Sequence, residues 1–217
     1  MTAETKLAPI SPGELLGEAH PLLEQLGAPD GLALTGQMAT ALEFAHIRDL
    51  PALRHFLDDY HTRILMPVEL PAIVAAHGHA ARGEVRELIA LDRALAQEQA
   101  IRAFAPASCR VGQRQLSKLR PLRDQRVVRR YLEAIEAGEA RGWHTIVFGL
   151  SLALYSLPLR QGLQHYIGQT TRGFIAGAAR SLALTQAAAE ELIAEHALRA
   201  PVAITTVLDA AALLTPR

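Results

Sequence analysis

Cysteine is almost missing from this chain: Cys109 stands alone, which rules out an internal disulfide and every zinc arrangement built on several thiolates. A reducing cytosol is the compartment that such usage fits. Aromatic residues are sparse at 5%, while half of the chain is hydrophobic, and the bulk of that half is Ala and Leu. Sheets draw on β-branched and aromatic faces, so this balance points to closely packed helices. An excess charge of either sign is missing too, with 22 Lys and Arg against 22 Asp and Glu. No global field draws the chain to nucleic acid or an anionic membrane, and either would have to use a local patch. Long apolar runs are also lacking. The most apolar span, TIVFGLSLALYSLPL, covers about 15 residues and carries Pro158, short of the ~20 that cross a bilayer. At the N-terminus, MTAETKLAPISPGELL puts Pro9 and Pro12 where a signal peptide would need an apolar run. Neither secretion nor a membrane location is expected.

What the chain has in quantity is helix punctuation. A chain of 217 residues can bury roughly 70% of its unfolded surface, and its pattern predicts a single all-α bundle of about ten helices. These fall near 12–26, 36–47, 50–62, 66–80, 84–103, 106–119, 124–139, 143–155, 158–179 and 186–197. Ser11 with Pro12, Asp49 with Pro51, and Ser156 with Pro158 each read as a cap followed by a proline in the first turn. Pro29, Asp30 and Gly31 mark a tight turn within LGAPDGLAL, residues 26–34. Residues 1–10 read as a tail, 11–200 as the helical domain, and 201–217 as a C-terminal tail or partner-docking segment.

The chemistry-bearing patterns are few. His77 and His79 form an HxH pair, but residues two apart on a helix point in different directions, and no third ligand lies at the i+4 spacing. No metal site is expected, and the histidines read as surface or boundary residues. Eight basic residues (Arg110, Arg114, Lys118, Arg120, Arg123, Arg126, Arg129, Arg130) crowd 110–130 against the single acid Asp124. With Tyr131 the one ring nearby, a solvated face or an acidic protein partner is the better reading than nucleic acid. Glu133, Glu136 and Glu139 follow at once and make the segment a local dipole. GxSxG, a phosphate loop, a dinucleotide fingerprint and HExxH are all absent, so no catalytic residues and no bound cofactor are expected.

The stretch GFIAGAARSLALTQ, residues 173–186, is different in kind. Small residues at Gly173, Ala176, Gly177, Ala178 and Ala179 admit a close helical neighbour, and Arg180 arrives in their midst. A buried guanidinium must be paired, either within the subunit or across an interface.

Segment 144–186, HTIVFGLSLALYSLPLRQGLQHYIGQTTRGFIAGAARSLALTQ, resembles the C-terminal half of the urease accessory protein F (UreF) family. Members there read His-Pro-x-Val-Phe-Gly, an apolar helix, a long helix with an early Tyr, then small residues leading into Arg-Leu-x-Pro-Leu-Gly-Gln. His144, Val147, Phe148, Gly149, Tyr166, Ala178, Arg180, Leu184 and Gln186 stand at the matching places. Upstream, LDRALAQEQAIRAFAPASCRVGQRQLSKL is similar to a family stretch in which a helix after Leu-Asp leads to Ser-x-x-x-Gly-x-x-x-Leu, matched by Ser108, Gly112 and Leu116. ALEFAHIRDLPALRHFLDDY resembles the family's Gly-Leu-Glu segment with its acidic cap, keeping Leu42 and Glu43. The likeness spans about 30–190.

That resemblance implies an all-α homodimer in the cytoplasm, acting without catalysis. It would bridge accessory protein D (also called H), bound to the urease apoprotein, and the nickel-carrying GTPase, accessory protein G. Glu43, Tyr166, Arg180 and Gln186 would be the partner-binding residues, and nickel would be handled by the complex rather than held here. Two departures stand out. The family's Gly-Gly-Phe-x-His-Ser run is replaced by ALTGQMATALE, and the Pro and Gly of Pro-Leu-Gly-Gln are Ala183 and Thr185. They leave open a second reading, a UreF-like helical dimer serving a different client.

Overall fold

The computed structural model of the protein describes residues 47–119 and 125–214, and every regular element among them is helical. In chain order these are α1 (Leu50–Ala81), α2 (Val85–Leu95), a 3-10 turn (Gln99–Phe104), α3 (Ala105–Lys118), α4 (Arg126–Glu136), α5 (His144–Leu154), α6 (Leu159–Leu182) and α7 (Gln186–Leu214). The helices expected at 12–26 and 36–47, the turn at 26–34 and the N-terminal tail lie outside the described residues.

Helix α1 starts as the sequence predicts, with the Asp49 carboxylate accepting from the Ala52 amide at 2.8 Å and Pro51 in the first turn. It then departs from expectation. The two helices predicted at 50–62 and 66–80 are one continuous element whose middle, His61–Glu69, widens into π-helical turns. Pro67 lies inside that stretch. In a regular α-helix its ring would press on the carbonyl four residues back, and the wider turn relieves that clash. By length and composition α1 could cross a membrane, but Leu53, Phe56, Leu57, Tyr60, Ile73 and Ala76 on it are core residues.

Three other boundaries move. The helix predicted over 84–103 stops at Leu95, because Glu98 takes an extended backbone and its carboxylate caps a fresh turn at the Ala100 amide, 3.3 Å away. The helix predicted to end at 179 runs to Leu182, and Ala183 closes it in the left-handed region at φ 49°. The last helix runs beyond 197 to Leu214, with Pro201 within it.

The helix ends share one device. Gly83, Gly138 and Ser156 each take positive φ just past a helix, and the two amides that follow the last turn fold back onto its carbonyls. After α5, for instance, the Leu157 amide reaches the Leu152 carbonyl at 2.8 Å and the Ser156 amide reaches Ala153 at 3.1 Å. Ser156 is therefore the closing residue of α5. The N-cap of α6 is Pro158, which has no capping side chain.

Helix α5 is the axis of the molecule. All residues from His144 to Leu152 are buried, as a helix apolar on every side requires. The second half of α1 packs on it most extensively, α3 covers it from another side, and α7 lies along α6. Gly149 permits a close crossing of α5 and α1: a Cβ there would lie 2.5 Å from the Ile73 carbonyl oxygen and 2.9 Å from the Ala76 methyl.

Candidate functional site

Among the described residues, two clusters built on a buried carboxylate stand in the interior, and neither was evident from sequence. The first is centred on Asp92, which is fully buried on α2. Its carboxylate accepts from the Tyr131 hydroxyl at 2.6 Å, the Arg141 amide at 2.6 Å, the Gly142 amide at 2.9 Å and the Trp143 amide at 3.4 Å. One side chain thus holds the loop that enters α5. Neighbouring groups complete the junction. The Ser108 hydroxyl accepts from the His144 amide at 3.2 Å, the Gln113 amide group donates to the Arg141 carbonyl at 2.8 Å, and Gly112 lies against the loop backbone. A Cβ on Gly112 would sit 2.1 Å from the Gly142 carbonyl oxygen. Cys109 stands beside the junction, its thiol pushed up to about 11 by burial and then by the Asp92 charge, which leaves it protonated and unreactive near neutral pH.

The second cluster joins α1 to α6. Tyr60 donates its hydroxyl to the Glu69 carboxylate at 2.5 Å across the π-helical stretch. The Tyr166 hydroxyl faces the same carboxylate without completing a hydrogen bond. Around them pack Phe174, 4.8 Å from the Tyr60 ring, and Phe148 and His144, 5.2 and 5.7 Å from the Tyr166 ring. Burial raises the Glu69 carboxyl to about 7, against the pull of the two hydroxyls.

On the surface, a groove of about 1070 Å³ lies between α1, α2 and the end of α7, with Met66, Val74, Leu91, Leu95 and Val207 in its walls. His77 and His79 both line it. They do not act as a pair, since the His79 ring is tied to Glu84 at 2.8 Å and Arg82 donates to the same carboxylate at 2.7 Å. Among the described residues no group of three or more His, Cys, Asp or Glu is placed to hold a metal ion. Of the basic segment, Arg110, Arg114 and Lys118 lie on the exposed side of α3, while Arg129 and Arg130 face Glu133 at 3.9 and 3.7 Å. Arg120, Arg123 and Asp124 fall outside the described residues.

Of the four residues expected to bind partners, the two whose side chains are described, Tyr166 and Gln186, are not brought together. Tyr166 is buried in the Glu69 cluster, whereas Gln186 opens α7 at the surface and donates to Glu190 at 2.8 Å. Arg180 belongs to α6, but its side chain, like the whole of Glu43, lies outside the described residues. Near Arg180 the outer face of α6 is open: Ala176 and Gly177 are exposed, and nothing lies within 4 Å of the place a Gly177 Cβ would occupy.

An all-helical body with a fully buried central helix, its polar interior devoted to holding its own segments, is the class the architecture defines. The chain belongs to the UreF family, whose model matches residues 47–197, from the start of α1 through the first half of α7. This is a family of urease accessory proteins. No curated protein matches the chain.

Proposed function

We propose that this protein is a non-catalytic scaffold of urease maturation. In this reading it bridges accessory protein D or H, which holds the urease apoprotein, and the nickel GTPase, accessory protein G. It works in the cytoplasm as a homodimer and carries no nickel or other cofactor of its own. The observation that carries the reading is the family match over 47–197, which takes in the Asp92 junction and the whole buried axis. Two surface features support an interaction role. The small-residue face of α6 at Ala176 and Gly177 is open in the single chain, and α7 carries Leu198, Val202 and Leu213 at 81%, 72% and 88% exposure. Large apolar side chains so exposed on one helix suit a partner or a second copy.

Capture assays with both accessory proteins test this. Arg180→Ala should leave helical content and dimer mass intact while weakening capture of at least one partner by roughly 30-fold, the loss expected from removing a charged interface group. A wild-type protein that folds and dimerises yet captures neither partner would overturn the assignment. The second reading, an adaptor for another client, is favoured by one specific observation: the family match begins at residue 47, past the divergent ALTGQMATALE segment.

A further inference from the structure

The contact between α1 and α7 contains a feature that the urease reading leaves unexplained. His61, in the π-helical stretch of α1, and His196, in α7, face each other with ring centroids 4.8 Å apart and planes tilted by 51°. They are 9% and 1% exposed. The Nε2 of His61 and the Nδ1 of His196 are buried with no hydrogen-bond partner. Buried imidazole nitrogens normally find a partner, so an unpartnered pair in contact, on two helices 135 positions apart in sequence, calls for a reason.

A ring of ion pairs surrounds the two imidazoles. Arg54 on α1 reaches Glu195 and, at 3.3 Å, Glu191 on α7. Arg199 on α7 reaches Asp58 on α1 and, at 3.0 Å, Glu195 on its own helix. The charged groups facing His61 are Arg199 and Asp58, with His196 beside it; those facing His196 are Arg199, Asp58, Glu195 and Arg54. Both carboxylates and both guanidinium groups are already engaged with each other. A proton on either imidazole would therefore stand beside Arg199 and a second imidazole, with Arg54 added for His196, and with both facing carboxylates already engaged.

We propose that His61 and His196 form an acid-sensitive latch: neutral imidazoles let the first half of α7 lie on α1, and their protonation releases residues 186–200. Burial, then the other imidazole and then Arg199, hold His61 down to about 4, and burial holds His196 low as well. In the released form both rings meet water and regain an ordinary value near 6.5. Each then takes up its proton below that pH, and between pH 7.5 and 5.5 the released form gains about 10-fold from His61 and up to as much again from His196. Release exposes Leu192, which is fully buried against the body, and frees the arm that bears Leu198.

Amide hydrogen exchange on the full chain, corrected for the intrinsic pH dependence of exchange, reads this directly. Protection of residues 186–200 should fall by up to about 100-fold from pH 7.5 to 5.5, with α5 little changed. His196→Phe should leave a fall of about 10-fold, His61→Phe one of at most that size, and the double variant should abolish it. A wild-type fall below 3-fold, or an equal fall in the double variant, overturns the latch. Should the variants fail to fold, NMR titration of the wild-type histidine ring protons decides it. Two imidazoles still neutral at pH 5.5 in the native spectrum support the latch, and two that titrate near 6.5 without loss of native protection in 186–200 overturn it.

Discussion

The hydroxyl of Tyr131 and the carboxylate of Asp92 meet at 2.6 Å although α2 and α4 are separated by a 3-10 turn and the whole of α3. The same carboxylate takes the amides of Arg141 and Gly142, so a single buried charge fastens three distant parts of the chain. Asp92→Asn keeps the shape but replaces two lone-pair-rich oxygens by one oxygen and a donor facing donors. A loss of about 2–3 kcal/mol is expected, since hydrogen bonds to charged groups contribute more than neutral ones and orphaned amides add their own cost. Chemical denaturation would measure it. Tyr131→Phe should cost roughly half as much, and a loss under about 1 kcal/mol for Asp92→Asn would mean that the loop is held by other means.

Gly112 presses on the same junction. Gly112→Ala places a methyl 2.1 Å from a carbonyl oxygen of the loop, where only a backbone shift can make room. We expect a cost of about 3 kcal/mol, at the upper end for overpacking. A melting temperature within a degree of wild type would show that α3 and the loop can part freely.

Glu69 should make stability fall as pH rises. Its carboxyl titrates at about 7 in the folded chain, above its ordinary value of 4.5, so between those two points the folded form holds a proton that the unfolded form has released. The share of stability that Glu69 supplies is then lost from pH 4.5 to 7, an amount on the order of 3 kcal/mol, against the opposite trend that His61 and His196 contribute below about 6.5. Glu69→Gln, which keeps an oxygen for the Tyr60 hydroxyl, should remove that slope and be more stable than wild type at pH 8. Parallel slopes for the two proteins between pH 5 and 8 would contradict this.

Ser156 does a glycine's work at φ 52°. Gly83 and Gly138 close α1 and α4 in the same manner without the steric cost that a side chain brings. Ser156→Gly should therefore stabilise by about 0.5–1 kcal/mol, the relief of left-handed strain less the greater freedom of the unfolded glycine. In a chain of this size that is roughly 1–4 °C in melting temperature. A destabilised variant would point to a role for the serine hydroxyl.

Much of the fold could be read from local chemistry because helix starts and apolar periodicity are local signals. Asp49 and Pro51 mark the start of α1, and the run from Thr145 to Leu152 could only be a helix with neighbours on all sides. The misplaced boundaries are those set by tertiary fit. Pro67 looks like a break, yet π-helical widening carries the chain through it, and Pro201 likewise sits within α7. Among the family-like residues, Ser108, Gly112 and His144 owe their places to the Asp92 junction, a contact across 50 residues that no spacing rule reveals. Glu69 and the His61 and His196 pair stayed hidden for the same reason: each sits on a helix whose pattern alone reads as an ordinary polar face.

The widened turns of α1 also give that helix a phase. Each residue of an α-helix advances the side chains by about 100° and each residue of the wider turns by less, so the bearing of Leu70–Ala81 relative to Leu50–Tyr60 depends on how many residues the stretch His61–Glu69 contains and on its widened turns. Removing a single residue there, as a small genetic deletion would, turns Ile73 and Ala76 away from the notch at Gly149 while leaving Phe56 and Tyr60 against Phe174. The helix behaves like a key with two sets of teeth cut at a fixed angle. Sequence length between His61 and Glu69 should thus tolerate substitution far better than insertion or deletion.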